Sequence, residues 1–392
     1  MLISGAFRGD PGLAHGGLRQ RQEYEQRHMP QTAIPCVIMR GGTSKGPYFK
    51  LADLPEDRET LTRVLLAAMG SPDARQIDGI GGAQWLTSKV AMIGPSARDD
   101  ADLDYLFGQV IVDRGHVDYA PNCGNMTSGV APFAIEAGMI AGHDPETVVR
   151  IHNVNTGALI EATIQTPAGQ VTYEGAAAID GAPGTAAPVM LYFSRMVGSI
   201  TGKLLPTGQP REVINGVEVS CVDVAVPMIT MRAADLGKTG YEGKAELDAD
   251  KDLVARLEAI RVEASERMGM GDPTGKVVPK LCLISEPRAG GSINARYFVP
   301  QECHATFPLV GGMCLAATSV ISGTVTEGIA RIGDAPKQSV LIEHPAGQLE
   351  TMIEFGGSRA APEIARVGFM RTARRLMEGA VYVPASVWNG TR

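Results

Sequence analysis

The sequence predicts an α+β fold built from two similar β-rich halves, each containing one buried helix. Short β-type runs separated by turns dominate the 392 residues, and long helical patterns are few. A turn of small residues followed by an apolar helix occurs once in each half of the chain. A chain of this length exceeds what one hydrophobic core usually serves, so we expect two domains with a cleft between them.

Residues 1–30 precede the first of these patterns. They are rich in Arg, Gln, Gly and Glu and show little apolar periodicity, so we expect a disordered or cloning-derived extension, with Met29 a candidate initiator. The first domain then covers residues 31–205. Its β-type runs fall at 35–40, 88–93, 105–112 and 156–164.

The buried helix of the first half follows the run Asn122–Gly129 and continues as an uncharged apolar segment to Ile135. Pro132 lacks an amide N–H, so we expect a kink there. Residues 202–210 have the composition of a linker, and the domain boundary is placed near Leu205.

The second domain covers residues 206–378 and repeats the pattern. β-type runs lie at 217–223 and 295–299, and residues 251–261 form an amphipathic surface helix. Gly311 and Gly312 open an apolar helix that runs to Ile321. Two such helices facing each other would direct both helix starts at one cleft.

Composition narrows the classes of function. The net charge is −7, with 20% charged and 44% apolar residues, which argues against nucleic acid or an anionic membrane as the main partner. No apolar run reaches the ~18 residues of a membrane span. Six cysteines without a CxxC pair or a secretory signal indicate free thiols and a cytoplasmic location.

Cys123 is the first candidate catalytic residue. Its neighbours Asn122, Gly124 and Asn125 are polar or lack a side chain, so they fill a core poorly and would let a substrate approach closely. We expect all three to be substrate-binding residues. A thiol at a helix start is typical of reactive cysteines. The alternative is a small buried core residue, which is the commonest role of a free cysteine.

Lys89 is the second candidate catalytic residue. It lies in a strand-type run, where its neighbours face the opposite side. In a closed pocket its pKa would fall from ~10.4 towards the range in which a free amine accepts a proton. The alternative is a strand lysine with an exposed head group, which the pattern alone favours.

Other residues are candidate substrate-binding groups. Thr43, Ser44 and Lys45 follow two glycines and could cradle a carboxylate, although such turns are individually weak evidence. In the second half, Lys280 and Arg296 are candidate carboxylate-binding cations. His304 is as readily structural as functional, and Gly311 and Gly312 offer backbone at the second helix start. The histidines lack metal-ligand spacing, and phosphate-loop and dinucleotide motifs are missing, so we predict no metal and no cofactor.

Several segments together resemble the 2-methylaconitate isomerase (PrpF) family, most closely its 4-oxalomesaconate tautomerase/isomerase branch. The resemblance covers nearly everything after residue 30. The matching segments are 39–46, 70–82, 86–91, 122–125, 179–186, 204–208, 278–280 and 371–377.

The resemblance implies a diaminopimelate-epimerase-like fold, with two pseudo-symmetric domains wrapped around central helices and the last strand, within 379–392, returning to the first half. It further implies cofactor-independent proton transfer in an unsaturated tricarboxylate, with the family's lysine and cysteine at Lys89 and Cys123. Whether Cys123 moves a proton or only holds the dienolate stays open. Segments 225–227 and 303–312 depart from the expected pattern and leave the substrate open.

The favoured substrate is 4-oxalomesaconate, and the alternatives are aconitate or 2-methylaconitate. A non-catalytic carboxylate-binding protein is the remote alternative. The expected partner is thus a small tricarboxylate, with no nucleic acid or membrane, and a homo-oligomer is compatible. Two-thiol epimerisation is disfavoured, because the counterpart of Cys123 falls near 311–313 and Cys314 comes one or two residues late.

Overall fold

The computed structural model describes residues 31–299 and 301–391. The extension predicted for residues 1–30 lies outside the described residues. Within them the fold is α+β, as predicted, with sixteen strands hydrogen-bonded into one sheet. The strands of the first half are β1 Gln31–Gly41, β2 Ser44–Lys50, β3 Lys89–Pro95, β4 Leu103–Val110, β5 Val117–Asp118, β6 Glu146–Asn153, β7 Leu159–Gln165 and β8 Pro188–Phe193.

The second half contributes eight further strands. They are β9 Glu212–Ile214, β10 Val217–Val224, β11 Val226–Arg232, β12 Lys280–Ser285, β13 Ile293–Phe298, β14 Lys337–His344, β15 Gly347–Ser358 and β16 Ala361–Pro384. The helices are α1 Arg58–Met69, α2 Gly124–Thr127, α3 Val130–Glu136, α4 Lys244–Ala249, α5 Lys251–Arg267 and α6 Leu309–Val320. Short 3₁₀ turns link some of these elements.

The two halves share one pattern of strand pairing. In the first half β1 pairs antiparallel with β2, β2 parallel with β3, β3 antiparallel with β4, and β4 parallel with β6. The run β10, β11, β12, β13, β14 repeats this order of antiparallel and parallel pairs. Equivalent positions can therefore be assigned from topology alone: β3 corresponds to β12, and the helix after β4 corresponds to the helix after β13.

The long strand β16 joins the halves. Its first part pairs antiparallel with β15, its middle also pairs with β8, and its end pairs with β1, with Gly379 opposite Cys36. A β-bulge in β1, between Ile38 and Met39, accompanies the last pairing. One strand therefore pairs with strands of both halves. The domain boundary expected near residue 205 stays a prediction.

The central helices are buried because they are apolar on all sides. Every residue from Gly311 to Val320 of α6 is buried, and the helix contacts β10, β11, β15 and β16. In the first half the helix is interrupted: α2 ends at Thr127 and α3 begins at Val130. The carbonyl oxygen of Met126 accepts from the backbone N–H of Gly129, only three residues on, at 3.1 Å, and also from the Tyr48 hydroxyl at 2.6 Å. The break therefore precedes Pro132, where a kink was expected.

Outer helices cover the other face of the sheet. The amphipathic pattern at 251–261 corresponds to α5, which buries Leu253, Leu257 and Ile260 in a cluster with β10, β11 and β12. Arg261 is also buried there and forms an ion pair with Glu258 at 2.6 Å. No helix among the described residues is long and apolar enough to cross a membrane.

Candidate active site

Lys89 is the first residue of β3, and its side chain is 95% buried. Its Nζ donates to the Ser44 Oγ at 3.1 Å and to the Cys123 Sγ at 3.4 Å. No acidic side chain among the described residues forms an ion pair with it. The Lys89 side chain is therefore buried and hydrogen-bonded to a hydroxyl and a thiol. This excludes the alternative that the pattern alone favoured, a strand lysine with an exposed head group.

Close packing of β2 against β3 holds this group in place. A Cβ at Gly46 would lie only 1.8 Å from the carbonyl oxygen of Lys89, so the two strands can approach this closely only with glycine there. Ser44 precedes Gly46 by two residues and is fully buried on the same side of β2. Lys45 lies between them and is exposed. Ser44 therefore contacts Lys89, while Lys45 is directed away from the predicted carboxylate cradle.

Cys123 is the N-cap residue of the short helix α2. Its carbonyl oxygen accepts from both the backbone N–H and the hydroxyl of Thr127, at 2.9 Å each, which fixes the start of the helix. Beside it, a Cβ at Gly124 would come 2.9 Å from the ring of Phe369. The buried Oδ1 of Asn122 accepts no hydrogen bond from the described residues.

Asn125, the second residue of α2, forms hydrogen bonds to two other side chains. Its Nδ2 donates to the Thr43 Oγ1 at 3.0 Å, and its Oδ1 accepts from the Arg371 Nε at 3.1 Å. Because a guanidinium can only donate, the amide oxygen must face Arg371, which settles the orientation of the amide. Gly42 lies against the same amide, and a Cβ there would collide with it.

A cleft of about 1250 Å³ opens beside these residues and lies between the halves. Its wall includes Thr43, Leu86 and Asn125 of the first half and Arg371 of the joining strand, whereas Lys89, Ser44 and Cys123 lie next to it without forming its surface. The second half contributes polar and charged groups to the wall. They are Tyr241, Arg288, Asn294, Arg296, Thr306, Glu343, His344, Gln348 and Glu350.

Arg296 is the predicted second-half cation that reaches this cleft. It is 96% buried, and its Nε and Nη1 donate to the carbonyl oxygens of Glu242 and Ala295 at 2.9 Å each. Burial lowers the pKa of its guanidinium, although neighbouring thiols and Glu242 oppose the shift. No carboxylate of the described residues forms an ion pair with Arg296. A carboxylate ligand would supply the missing countercharge.

Other predicted binding residues are placed elsewhere. Lys280 is half-buried outside the cleft wall, and burial together with nearby Arg261 lowers its pKa. His304 accepts from the backbone N–H of Thr306 at 3.1 Å and so stabilises its own turn. Gly312 donates its N–H to Pro308, and Cβ atoms at Gly311 and Gly312 would strike Tyr297 and Leu349 respectively. Both glycines thus serve helix packing.

Sequence reasoning missed several groups of the cleft. Arg371 lies in a matching segment, but its local pattern does not mark it as a ligand, and Glu343 lies in no segment that the sequence singles out. Glu343 is 95% buried and accepts from the backbone N–H groups of Arg288, Ala289 and Gly291. Burial opposes ionisation, but these amides hold the pKa of Glu343 below its usual range. Glu343 lies near the end of β14, and the amides that bind it come from a loop 52 to 55 residues earlier in the chain, so no local pattern indicates its role.

Topology also corrects the equivalence between the helix starts. The N-cap of α6 is Pro308, so Pro308 corresponds to Cys123, rather than the expected 311–313. Cys314 is fully buried within α6, with its Sγ 3.4 Å from the carbonyl oxygen of Val222, and burial raises the pKa of its thiol to about 12. The second helix start therefore lacks a thiol, in agreement with the argument against two-thiol epimerisation.

The chain has extensive similarity to known proteins. The family model described as PrpF protein matches residues 31–384. A 4-oxalomesaconate tautomerase of Pseudomonas putida is 49% identical over 92% of this chain and 99% of its own, and a (4E)-oxalomesaconate Delta-isomerase of Novosphingobium sp. is 46% identical over 91% and 99%. A crystal structure of methylitaconate-delta-isomerase superposes with a TM-score of 0.83 at 39% identity, covering 92% of this chain and 97% of that one. These matches confirm the predicted isomerase class, and the chain belongs to the PrpF family.

Proposed function

We propose that this protein is a cofactor-independent isomerase that moves a proton within 4-oxalomesaconate, an unsaturated tricarboxylate. The observation that carries the proposal is the buried Lys89 amine, which is hydrogen-bonded to Ser44 and Cys123. It lies beside a cleft whose wall contains guanidinium groups that form no ion pair with a carboxylate of the described residues. A buried amine without a carboxylate partner is suited to accept and return a proton. The guanidinium groups are suited to hold a substrate with several carboxylates.

The reaction follows from these positions. Lys89, as the free amine, accepts a proton from a carbon conjugated to a carbonyl or carboxylate, and the C–H electron pair spreads into the conjugated system as a dienolate. Hydrogen-bond donors around the cleft stabilise the negative charge. A proton then returns to a different carbon, either directly from the Lys89 ammonium or from the Cys123 thiol. In the second case the Cys123 thiolate regains its proton from the Lys89 ammonium, to which it is hydrogen-bonded. The net change is a 1,3-allylic proton shift or a keto–enol tautomerisation, and no electrons enter or leave.

The choice of substrate rests on the relatives. Two of them that are 46% or more identical to this chain are named for oxalomesaconate, whereas a 2-methyl-aconitate isomerase of Shewanella oneidensis is 32% identical. Isomerisation of aconitate or 2-methylaconitate is therefore the second candidate. With 4-oxalomesaconate as substrate, the enzyme would serve the breakdown of aromatic acids through gallate or protocatechuate, in the cytoplasm.

A substrate panel tests the proposal directly. The protein is incubated in deuterium oxide with 4-oxalomesaconate, cis- and trans-aconitate and 2-methylaconitate, and proton NMR follows the loss of C–H signals and the appearance of isomers. We expect 4-oxalomesaconate to be converted fastest, with deuterium at the new C–H position. Faster conversion of an aconitate would select the second candidate. Binding of a tricarboxylate without deuterium exchange would instead indicate a carboxylate-binding protein.

The absence of a cofactor requirement needs its own measurement. Among the described residues, no three His, Cys, Asp or Glu side chains are grouped as metal ligands. We expect protein dialysed against EDTA, without added nucleotide or metal, to keep full activity. Activity that returns only on adding a divalent cation would overturn this part of the proposal and direct attention to the acidic residues of the cleft.

A further inference from the structure

We propose that Arg371 binds a substrate carboxylate on the side of the cleft nearest Cys123, and that Asn125 positions Arg371. This inference rests on the proposed function for the identity of the substrate. It assigns a binding group that the sequence did not indicate, and it changes the role predicted for Asn125 from direct substrate contact to positioning.

The location of Arg371 is the first argument. It lies on β16 where this strand pairs with β8, opposite Val189, just before the strand turns to β1. Arg371 forms part of the cleft wall, and its contact Asn125 belongs to the same helical turn as Cys123. An anion held by Arg371 therefore lies on the first-half side of the cleft, close to the reacting groups.

The second argument is that Arg371 lacks a countercharge. Within residues 31–299 and 301–391, no carboxylate forms an ion pair with it. Burial lowers the pKa of its guanidinium to about 10. Removing a cation from water without a partner is unfavourable, so an arginine kept in such a position favours binding of an anion.

The third argument is the fixed orientation of the side chain. The Nε donates to the Asn125 Oδ1 at 3.1 Å, the Nη1 donates to the Met370 carbonyl oxygen at 2.7 Å, and the guanidinium lies 4.9 Å from the centre of the Phe369 ring. These contacts leave Nη2 without a hydrogen bond to the described residues. A planar guanidinium held in this way has a donor available for a carboxylate oxygen.

Asn125 acts through this arrangement. Its amide is held between the Thr43 hydroxyl and the Arg371 Nε, and both of its polar atoms have protein partners. Removing the amide would release Arg371 without removing its charge. A positioning role therefore predicts that the effect of Asn125→Ala disappears when Arg371 is already absent.

Binding of tricarballylate, a saturated tricarboxylate with no double bond to move, tests the proposal independently of turnover. Isothermal titration would compare the wild type with Arg371→Met, Arg371→Lys, Asn125→Ala and the double variant Asn125→Ala/Arg371→Met. Arg374→Met is the matched control, because Arg374 is an exposed arginine on the same strand. Thermal melting establishes that each variant is folded.

We expect Arg371→Met to weaken binding about 10–100-fold, the usual range for one lost charge-assisted contact. Arg371→Lys should lose about 5-fold or more, because an ammonium cannot reproduce the planar donor geometry. Asn125→Ala should weaken binding on its own and have no further effect in the Arg371→Met background. In turnover, Arg371→Met should raise KM more than it lowers kcat.

Folded Arg371→Met or Arg371→Lys protein that binds tricarballylate within twofold of the wild type would overturn the proposal. Equal losses from Asn125→Ala in both backgrounds would overturn the positioning role. Failure of the wild type to isomerise any tricarboxylate would defeat the proposed function instead. The binding arms would still decide whether Arg371 is an anion site, so the two failures are distinguishable.

Discussion

The two halves of the molecule share one strand topology but differ at the positions that could carry chemistry. Lys89 begins β3 and Lys280 begins the equivalent strand β12, whereas Cys123 caps α2 and Pro308 caps the equivalent helix α6. Lys89 is buried against Ser44 and Cys123, while Lys280 is half-buried outside the cleft wall. The comparison indicates that both halves have the same fold, whereas the proposed proton-transfer groups occur in only one of them.

The second half supplies the proposed binding groups instead. Its part of the cleft wall contains Arg288, Arg296 and Glu343, and the Glu343 carboxylate accepts hydrogen bonds from backbone N–H groups. An arrangement with proton-transfer groups in one half and binding groups in the other suits an isomerase in which one base removes and returns a proton on the same side of the substrate. A racemase that needs acid and base on opposite faces would require reacting groups from both halves.

Lys89→Met should produce the largest effect, because methionine is of similar length but has no nitrogen to accept a proton. We expect kcat to fall by ~10²–10⁴, the usual range for a general base. The measurement is turnover of 4-oxalomesaconate by NMR, with Lys203→Met, an exposed lysine far from Lys89 in the sequence, as control. If more than half of the wild-type activity remained, Lys89 would not be the base and the division between the halves would fail.

Arg296→Met tests the binding role of the second half. Loss of a charge-assisted contact costs ~1.5–3 kcal/mol, so kcat/KM for a tricarboxylate should fall about 10–150-fold. A truncated dicarboxylate that lacks the distal carboxylate should be affected far less. Arg256→Met, on the exposed side of α5, is the control.

An equal proportional loss for both substrates would contradict this role for Arg296. The Nε and Nη1 of Arg296 donate hydrogen bonds to backbone carbonyl oxygens, so Arg296→Met could lower activity by disturbing the local structure. A second variant, Arg296→Lys, controls for this effect because it keeps a cation at the position. If Arg296 contacts the distal carboxylate, Arg296→Lys should keep part of the discrimination between the two substrates.

Alkylation should distinguish Cys123 from the other thiols by roughly tenfold or more in rate. Burial raises the pKa of Cys303 to about 11 and that of Cys221 and Cys314 to about 12, and it also raises the pKa of Cys36 and Cys282. These five thiols are protonated at pH 8, and the thiolate is the nucleophile. Cys123 is 9% exposed and lies beside the cleft, whereas the others are 4% exposed or less.

Iodoacetamide labelling at pH 8, read by peptide mass spectrometry with and without tricarballylate, checks this prediction. We expect Cys123 to react first and the tricarboxylate to slow its labelling. Uniform labelling of all six thiols that the ligand does not affect would return Cys123 to a core role and remove the chemical difference between the two helix starts.

Much of the fold could be predicted, because local pattern and burial agree. The β-type runs at 88–93 and 217–223 correspond to β3 and β10, and the apolar helix opened by Gly311 corresponds to α6. The boundaries of strands were harder to predict from the sequence. β2 begins at Ser44, in a segment interpreted as a turn, and the alternation that begins there exposes Lys45 and buries Ser44.

Contacts between distant parts of the chain could not be predicted. Arg371 and Asn125 are 246 residues apart, and only the folded sheet brings the guanidinium to the amide. Likewise, Pro308 shows no sequence likeness to Cys123, so their equivalence is visible only in the strand order. The catalytic candidates Lys89 and Cys123 were selected from local patterns and the family resemblance, and the hydrogen bond between them is consistent with that selection.

Lys280→Met should have the smallest effect and sharpens the comparison most directly. Lys280 occupies the position in β12 that Lys89 occupies in β3, and the sequence suggested that it binds a substrate carboxylate. It lies outside the cleft wall, and burial, followed by nearby Arg261, lowers the pKa of its ammonium group. We therefore expect kcat and KM to stay within about threefold of the wild type, since surface or remote substitutions usually change free energies by under ~0.5 kcal/mol. Steady-state kinetics beside Lys89→Met measure the contrast, and a tenfold rise in KM with unchanged thermal stability would show that the second strand start also contacts the substrate.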